Sequence, residues 1–256
     1  MLRILKERLH QGYRTLHYPA VEPVMPPRFR GRPVLAANPC PPGCNACAKA
    51  CPIAPISAVG QDNGLPVLDM GRCIFCGACA DACPQQSIQF SDEHRLACRE
   101  RVGLIITPHS PPASKDMRTP GPRNLGIFKK SLRLRQVSAA GCNACEADCN
   151  VLTTPVFDLA RFGVDFVAAP RHADALVVTG PVSENMRAAL WDTYYALPAP
   201  RLVVAVGVCA ISGGLFAGSP ECHNGIPPDM PVDVYIPGCP PHPWTILHGL
   251  LLTRAC

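Results

Sequence analysis

The 256-residue sequence predicts two folded units of different class, a small α+β domain followed by a larger α/β domain on a parallel sheet. Three observations carry this reading. Two cysteine runs, each closing on Cys-Pro, lie between Cys40 and Pro84. From about Leu132 onward, strand-like and helix-like segments alternate, the pattern of parallel strands joined by crossover helices. Between the two, residues 94–128 are rich in Pro and Arg and read as a connector. The expected division is an N-terminal extension over 1–34, a cysteine domain over 35–93, a linker over 94–128 and the α/β domain over 129–256.

Composition limits what such a chain can be. Apolar residues make up 48% and charged residues 17%, enough apolar material for a core, so general disorder is excluded. The opening MLRILKERLHQGYRT mixes charges with leucines and lacks the apolar stretch of a secretory signal, which points to a reducing compartment. There, 16 patterned cysteines mean metal or redox chemistry rather than cross-links. The longest uncharged run, Leu202 to Pro220, contains four glycines and reads as a buried strand and a turn, not a membrane span. Net charge is +5, but basic segments (1–35 and 95–135) alternate with acidic ones that hold nearly all the cysteines. With no nucleic-acid motif in view, the basic segments read as docking surfaces for other proteins.

Leu2, Leu5, Leu9, Tyr13 and Leu16 recur at helical spacing, with Arg3, Lys6, Arg8 and Arg14 between them. Residues 1–16 are therefore expected to be amphipathic, suited to a membrane surface or a neighbouring subunit. Next comes the first cysteine array. Cys73, Cys76, Cys79 and Cys83-Pro84 spell C-x2-C-x2-C-x3-C-P, the bacterial ferredoxin run, in which three thiolates hold one iron–sulfur cube and the fourth serves another cube. A partner run exists: Cys40, Cys44, Cys47 and Cys51-Pro52, one residue longer in its first gap, where Pro41-Pro42-Gly43 offers a compact turn. The expected sets are Cys40, Cys44, Cys47 with Cys83, and Cys51 with Cys73, Cys76, Cys79. Structural zinc is the alternative, but zinc favours two separated C-x2-C pairs.

In the second unit, Leu132 and Leu134 alternate with Arg133 and Arg135 as a strand does. The stretch AAGCNACEADC reads as a loop. Thr154-Pro155 offers a helix start that Gly163 would close. Val164–Ala168, Ala175–Thr179, Leu202–Val206 and Val232–Ile236 read as strands, and Ser183–Leu197 and Trp244–Leu252 as helices. Cys142 and Cys145 then follow the first strand, while Cys209 and Cys239 follow two later ones. Loops at the carboxyl ends of parallel strands share one edge, so these four thiolates can converge. Spacing alone allows zinc or a cubane cluster.

The N-terminal part, from YPAVEPVMPPRFRGRPVL (Tyr18 to Leu35) through both cysteine runs, resembles the two-cluster ferredoxin subunit of energy-converting hydrogenases and respiratory complex I. The stretches FDLARFGVDFVAAPRHADALVVTGPV, GVCAISGGLF and PVDVYIPGCPP resemble the small subunit of group 4 NiFe hydrogenases of the formate hydrogenlyase type. That subunit is related to the complex I subunit carrying the last cluster. Cys142-Asn143-Ala144-Cys145 has the hydrogenase C-x2-C, where complex I has adjacent cysteines. The resemblance implies a ferredoxin-type domain joined to a flavodoxin-like domain. It also implies a third 4Fe–4S cluster on Cys142, Cys145, Cys209 and Cys239, and it makes Glu146 a candidate on a proton path. Arg171 and His172 are candidates for the cluster surroundings. Cys98, Cys149, Cys222 and Cys256 read as free thiols.

The function so implied is electron transfer through three 4Fe–4S clusters within a membrane-associated NiFe hydrogenase complex. Its partners would be a large subunit bearing the active metal, membrane-arm subunits and an electron donor or acceptor protein, on the inner face of the cell membrane. A nickel-free quinone or other oxidoreductase complex using the same relay is the alternative, and a structural zinc protein the remaining one.

Overall fold

The computed structural model describes residues 2–53, 58–113 and 131–253. Helix α1 (Leu2–Gln11) projects with Ile4 and Leu9 73% and 84% exposed, and Gly12, at φ +63°, ends it. The chain then lies along the second unit. The Thr15 hydroxyl donates to the Pro155 carbonyl at 2.7 Å, and Leu16 N–H donates to the Val156 carbonyl at 3.2 Å. It next enters the ferredoxin-type unit, made of β1 (Pro33–Leu35), α2 (Ala46–Ala50), β2 (Val59–Asp62), β3 (Leu65–Asp69), α3 (Ala78–Ala82), β4 (Ile88–Phe90) and β5 (Ile105–Ile106).

β1 and β4 pair antiparallel, and β2, β3 and β5 form a second antiparallel sheet. Asn63 and Gly64, both at positive φ, make the tight turn of the β2–β3 hairpin, a place where a two-residue loop needs such conformations. α2 and α3 are twins, each carrying one buried cysteine and each stopped by an extended Cys before Pro, whose ring disfavours helix in the preceding residue. The unit extends past its expected end. Leu104 and Ile106 are buried in its core, and β5 pairs with β3, so the described part of the expected 94–128 linker is packed structure through Ile106. Residues 114–128 of that linker lie outside the described residues.

The second unit contains β6 (Leu132–Ser138), α4 (Ala144–Val151), β7 (Val164–Phe166), β8 (Ala175–Thr179), α5 (Glu184–Ala196), β9 (Leu202–Val206), α6 (Val208–Ser212), β10 (Val234–Ile236) and α7 (Pro243–Leu252). Its five strands are all parallel, in the order β7-β6-β8-β9-β10. With β6 counted as first, this is the flavodoxin-like order, and the switch point falls between β6 and β8. Both faces of the sheet are covered, as parallel sheets require. Ala175, Val177, Leu202 and Val204 pack with α7 and Cys149 of α4 on one face. Leu176, Val178 and Val203 pack with Leu190 of α5 on the other.

The helix expected over 154–163 is not formed. The Thr153 and Thr154 hydroxyls bond back to the Asn150 and Val151 carbonyls at 2.8 and 2.7 Å, so the threonines finish a helix instead of starting one. That helix is α4, in the stretch read as a loop, and only a short 3-10 turn, Leu159–Phe162, precedes Gly163. The strands expected over 164–168 and 232–236 are shorter, Val164–Phe166 and Val234–Ile236.

The two units are joined by a buried polar and aromatic junction. Tyr18 is 4% exposed, with its ring 5.0 Å from Trp244 of α7 and 5.6 Å from His94. The Thr245 hydroxyl donates to the His94 carbonyl at 2.8 Å, and the Ser212 hydroxyl donates to the Gly71 carbonyl at 2.7 Å. Cys98 and Tyr235 exchange backbone hydrogen bonds of 3.0 and 2.8 Å, adding a bridge beside β10. Arg95 is neutralised by Glu22 at 2.8 Å and Glu93 at 3.1 Å.

Tyr18→Ala is expected to destabilise the chain by about 3–5 kcal/mol, the range for deleting a buried aromatic ring, measured by denaturant unfolding. Tyr18→Phe should cost much less, since the hydroxyl reaches His94 only at 3.4 Å. Burial, and then the nearby Arg95 charge, push the His94 pKa down to about 4, and burial pushes that of His248 on α7 to about 3. Between the ordinary 6.5 and those values, the unfolded chain binds protons that the folded chain refuses, so stability should fall as pH falls through that window. His248→Leu should flatten the slope in an unfolding series run from pH 7 to 4.

Candidate metal centres

The first cysteine set is built around a turn. Cys44 N–H donates to the Pro41 carbonyl at 3.0 Å with Gly43 at φ +73°, so Pro41-Pro42-Gly43 folds compactly and absorbs the extra residue. Burial raises the Cys40 thiol, and the charges of Cys44 and Cys83 raise it further. Cys47 is raised by burial, eased by the Ala48 N–H, and raised again by Cys40, Cys83 and Cys44. The four thiols expected to act together are thus electrostatic neighbours. Ser87 N–H points at Cys83 Sγ at 3.4 Å.

The second set surrounds a cavity. Cys51, Cys73, Cys76 and Cys79 all line it, and Ile53, Val59 and Leu68 supply apolar wall. Burial pushes Cys73 up to about 12, against the pull of a 3.2 Å hydrogen bond from Phe75 N–H, with Cys79, Cys76 and Cys51 adding to the rise. Cys79 goes to about 11 by burial and by Cys76, with smaller effects from Cys51 and Cys47, so the two sets adjoin. Cys76 is exposed.

The third set stands at the carboxyl edge of the parallel sheet. Cys142 and Cys145 follow β6, Cys209 lies in α6 after β9, and Cys239 follows β10. Burial strongly raises Cys145, helped by Cys209, Glu146, Cys149 and Cys239; burial and then Cys239 and Cys142 raise Cys209 to about 11. Backbone comes close to these sulfurs. A Cβ on Gly207, which sits at φ +87°, would stand 2.6 Å from Cys145 Sγ. Cys142 and Cys239 are exposed, so this set opens outward.

Among the described residues, no group of three or more His, Cys, Asp or Glu side chains is tight enough to hold a single metal ion. The thiols of each expected set are charge neighbours, and around them stand one cavity, N–H donors aimed at sulfur and glycine backbone against sulfur. That donor set suits clusters of several iron and sulfide atoms, which take thiolate ligands and are tuned by such hydrogen bonds.

The remaining candidates sort differently. Glu146 in α4 is 7% exposed, and the hydroxyls of Ser138 and Thr179 donate to its Oε1 at 2.6 and 2.5 Å. Those two donors had no signal in the sequence, because they reach Glu146 from the ends of two separate strands. Arg171 and His172 are exposed in the turn Pro170–His172, before the amino end of β8. This is the sheet edge opposite the cysteines, so the structure does not bring them to the cluster surroundings. Cys149 is fully buried under the sheet, its thiol pushed up to about 12 by burial and by Glu146. Cys98 takes part in the bridge to Tyr235, Cys222 bridges Ser183, and Cys256 lies outside the described residues.

Comparison with known proteins agrees with both halves. The family described as 4Fe-4S binding domain matches residues 66–89, which hold Cys73 to Cys83. The family described as NADH ubiquinone oxidoreductase, 20 Kd subunit, matches residues 142–253. The chain is 42% identical over 116 residues to a probable membrane-bound hydrogenase subunit (mbhJ) of Pyrococcus furiosus, covering 45% of this chain and 70% of that protein. It is 40% identical over 125 residues to formate hydrogenlyase subunit 7 of Escherichia coli, covering 49% of each. To an NADH-quinone oxidoreductase subunit of Clostridium beijerinckii it is 47% identical over 99 residues, 38% of this chain and 59% of that one. With four of its five parallel strands and all four cysteines of the sheet edge inside the matched span, the chain belongs to the family of the 20 Kd subunit of NADH ubiquinone oxidoreductase.

Proposed function

We propose that this chain is an electron-transfer subunit of a multisubunit, membrane-associated oxidoreductase of the hydrogenase type. It would relay electrons through three 4Fe–4S clusters to or from an active metal on a separate large subunit. The observation that carries the reading is that the cysteines of each expected set influence one another's charge, two sets in the ferredoxin-type unit and one at the edge of the parallel sheet. Cys40, Cys44, Cys47 and Cys83 would hold the first cluster. Cys51, Cys73, Cys76 and Cys79 would hold the second, and Cys142, Cys145, Cys209 and Cys239 the third. Such clusters exchange single electrons at potentials set by hydrogen bonds, charge and exposure.

The chain's own residues do the rest. The N–H groups of Phe75 and Ser87 offset charge on Cys73 and Cys83. Gly207 lets backbone approach Cys145. The junction at Tyr18 and Trp244 holds the two units in fixed register. Exposed Cys142 and Cys239 mark the edge where a large subunit would dock, since ligands and partners of open α/β sheets bind beyond the carboxyl ends of the strands. No helix among the described residues is long and apolar enough to cross a membrane, so membrane association would run through partner subunits or the surface of α1. The domain division proposed with this is a ferredoxin-type unit and an α/β unit over 129–256, preceded by the extension 1–34, in which the segment from Thr15 to Phe29 runs from the second unit to the first. The likeness to an NADH-quinone oxidoreductase subunit favours one second reading, the same relay in a nickel-free complex. Paired C-x2-C nickel ligands in the large subunit would separate the two.

Anaerobically purified chain is expected to be brown, to bleach with dithionite, and to hold about twelve iron and twelve sulfide per chain if each set carries one cubane. A colourless, zinc-loaded protein would overturn the proposal. In the assembled complex, Cys209→Ser should abolish donor-linked turnover while both ferredoxin-type clusters remain reducible by dithionite. Full turnover would refute the order of the relay, with the third cluster last. In cluster-free chain at pH 8, iodoacetamide should modify exposed Cys142 of the α/β unit first and spare buried Cys149. The latter has its thiol pushed to about 12 and becomes reactive only as pH rises toward that value. Mass spectrometry reads the order.

A further inference from the structure

Ser138 and Thr179 are register partners at the carboxyl ends of β6 and β8, the two strands that flank the switch point of the sheet. Their hydroxyls converge on one atom, Glu146 Oε1. Thr179 is fully buried and Glu146 nearly so. The other acceptor near Thr179 Oγ1, the Val137 carbonyl, is at 3.4 Å, a poorer partner than the carboxylate at 2.5 Å. The backbone makes room for this arrangement. A Cβ on Gly180, at φ +84°, would stand 2.5 Å from Gly141 N, and one on Gly141 would stand 3.6 Å from Glu146 Oε1. Strand ends, glycine pair and carboxylate therefore form one built unit, directly beside Cys145 in the sequence and electrostatically coupled to Cys145 and Cys209.

We propose that Ser138 and Thr179 are positioning residues: a hydroxyl clamp that fixes the Glu146 charge beside the third cysteine set and so sets how readily a cluster there accepts an electron. This rests on the reading that Cys142, Cys145, Cys209 and Cys239 hold a cluster. Reduction adds negative charge to a site that already faces a carboxylate, so Glu146 disfavours it. Two donated hydrogen bonds offset part of that charge and hold it in place, and charge-assisted bonds of this kind are short and strong. The clamp thus limits how far the carboxylate lowers the potential.

The test is a redox titration of the full-length, cluster-loaded chain followed by EPR, at one fixed pH. The third-cluster signal is defined as the one lost in Cys209→Ser. Glu146→Gln is expected to favour reduction of that cluster by roughly tenfold in equilibrium constant, 59 mV for a one-electron couple. Thr179→Val should disfavour it a few-fold, and Thr179→Ser, which keeps the donor, should restore the original value. Ser138→Ala supplies a second variant with the same expected direction. The decisive comparison places Thr179→Val in the Glu146→Gln background, where the shift should vanish. An equal shift in both backgrounds would mean that Thr179 acts through packing, and no shift in the natural background would mean no clamp; either overturns the proposal. If Cys209→Ser leaves every cluster signal intact, the ligand assignment fails instead, and the two failures are told apart by that one control.

Discussion

Parallel strands can be joined only by crossovers that return the chain to the starting side, so every strand of such a sheet ends on the same edge. That constraint governs the second unit. Residues far apart in sequence, Cys142, Cys209 and Cys239, arrive at one edge because each follows the end of a parallel strand. The same geometry brings Ser138 and Thr179 side by side over Glu146. No local feature of any one loop makes this centre; the direction of the strands does. It also explains why the central strands β8 and β9 are built of Val, Leu and Ala, with Thr179 their one polar side chain. Covered on both faces, these two strands have no water side, and Thr179 tolerates burial because its hydroxyl has the carboxylate to bond.

The ferredoxin-type unit obeys another rule. It is too small to bury much apolar surface, and its core includes Cys47, Cys73 and Cys79 themselves. Sulfur is thus both ligand and core filling there. Small domains of this kind usually need a metal or cross-link to persist, because binding free energy becomes folding free energy. The second unit has two apolar layers that do not include any of its four proposed ligands as fully buried members. The centres in the two units are therefore expected to differ in how much their loss disturbs the fold around them.

Legibility in the sequence followed how local each signal was. The cysteine runs were readable because three of the four ligands expected for each cubane sit within a few residues of one another at fixed gaps. The turn at Pro41-Pro42-Gly43 was readable because Pro and Gly set its dihedrals. β8 and β9 were readable as unbroken apolar runs with turn residues at both ends. α4 was missed: ACEADCNV has no clean apolar stripe, and what makes it a helix is Cys149 packing under the sheet while Glu146 reaches hydroxyls on β6 and β8. β5 was missed because two residues give no periodicity; its pairing with β3 is a tertiary fact. The junction was invisible for the same reason. Tyr18, His94 and Trp244 come from three distant segments, and none of them carries a pattern that names the others.

Covalent fusion alone would not make a relay from these two units. A flexible tether raises the local concentration of one unit near the other but leaves a wide spread of separations, and electron transfer needs one fixed, short separation. The structure adds contacts between the units that a tether lacks. The strap from Thr15 to Phe29 touches the second unit at Pro155, Arg161, Trp244 and His242 before it becomes β1 of the ferredoxin-type sheet. A returning segment then meets the second unit through buried His94 and pairs with β10 at Cys98, before β5 rejoins the ferredoxin-type sheet. Crossings at two stretches of the described chain, separated by β1 to β4, resist rotation in a way that one crossing cannot. The buried Arg95 between Glu22 and Glu93 ties the outgoing strap to the returning segment, so each crossing is braced by the other. Burying that arginine is tolerable only because both carboxylates come with it. The junction is thus specified as a unit, and the relative position of the cysteine sets is a property of the fold.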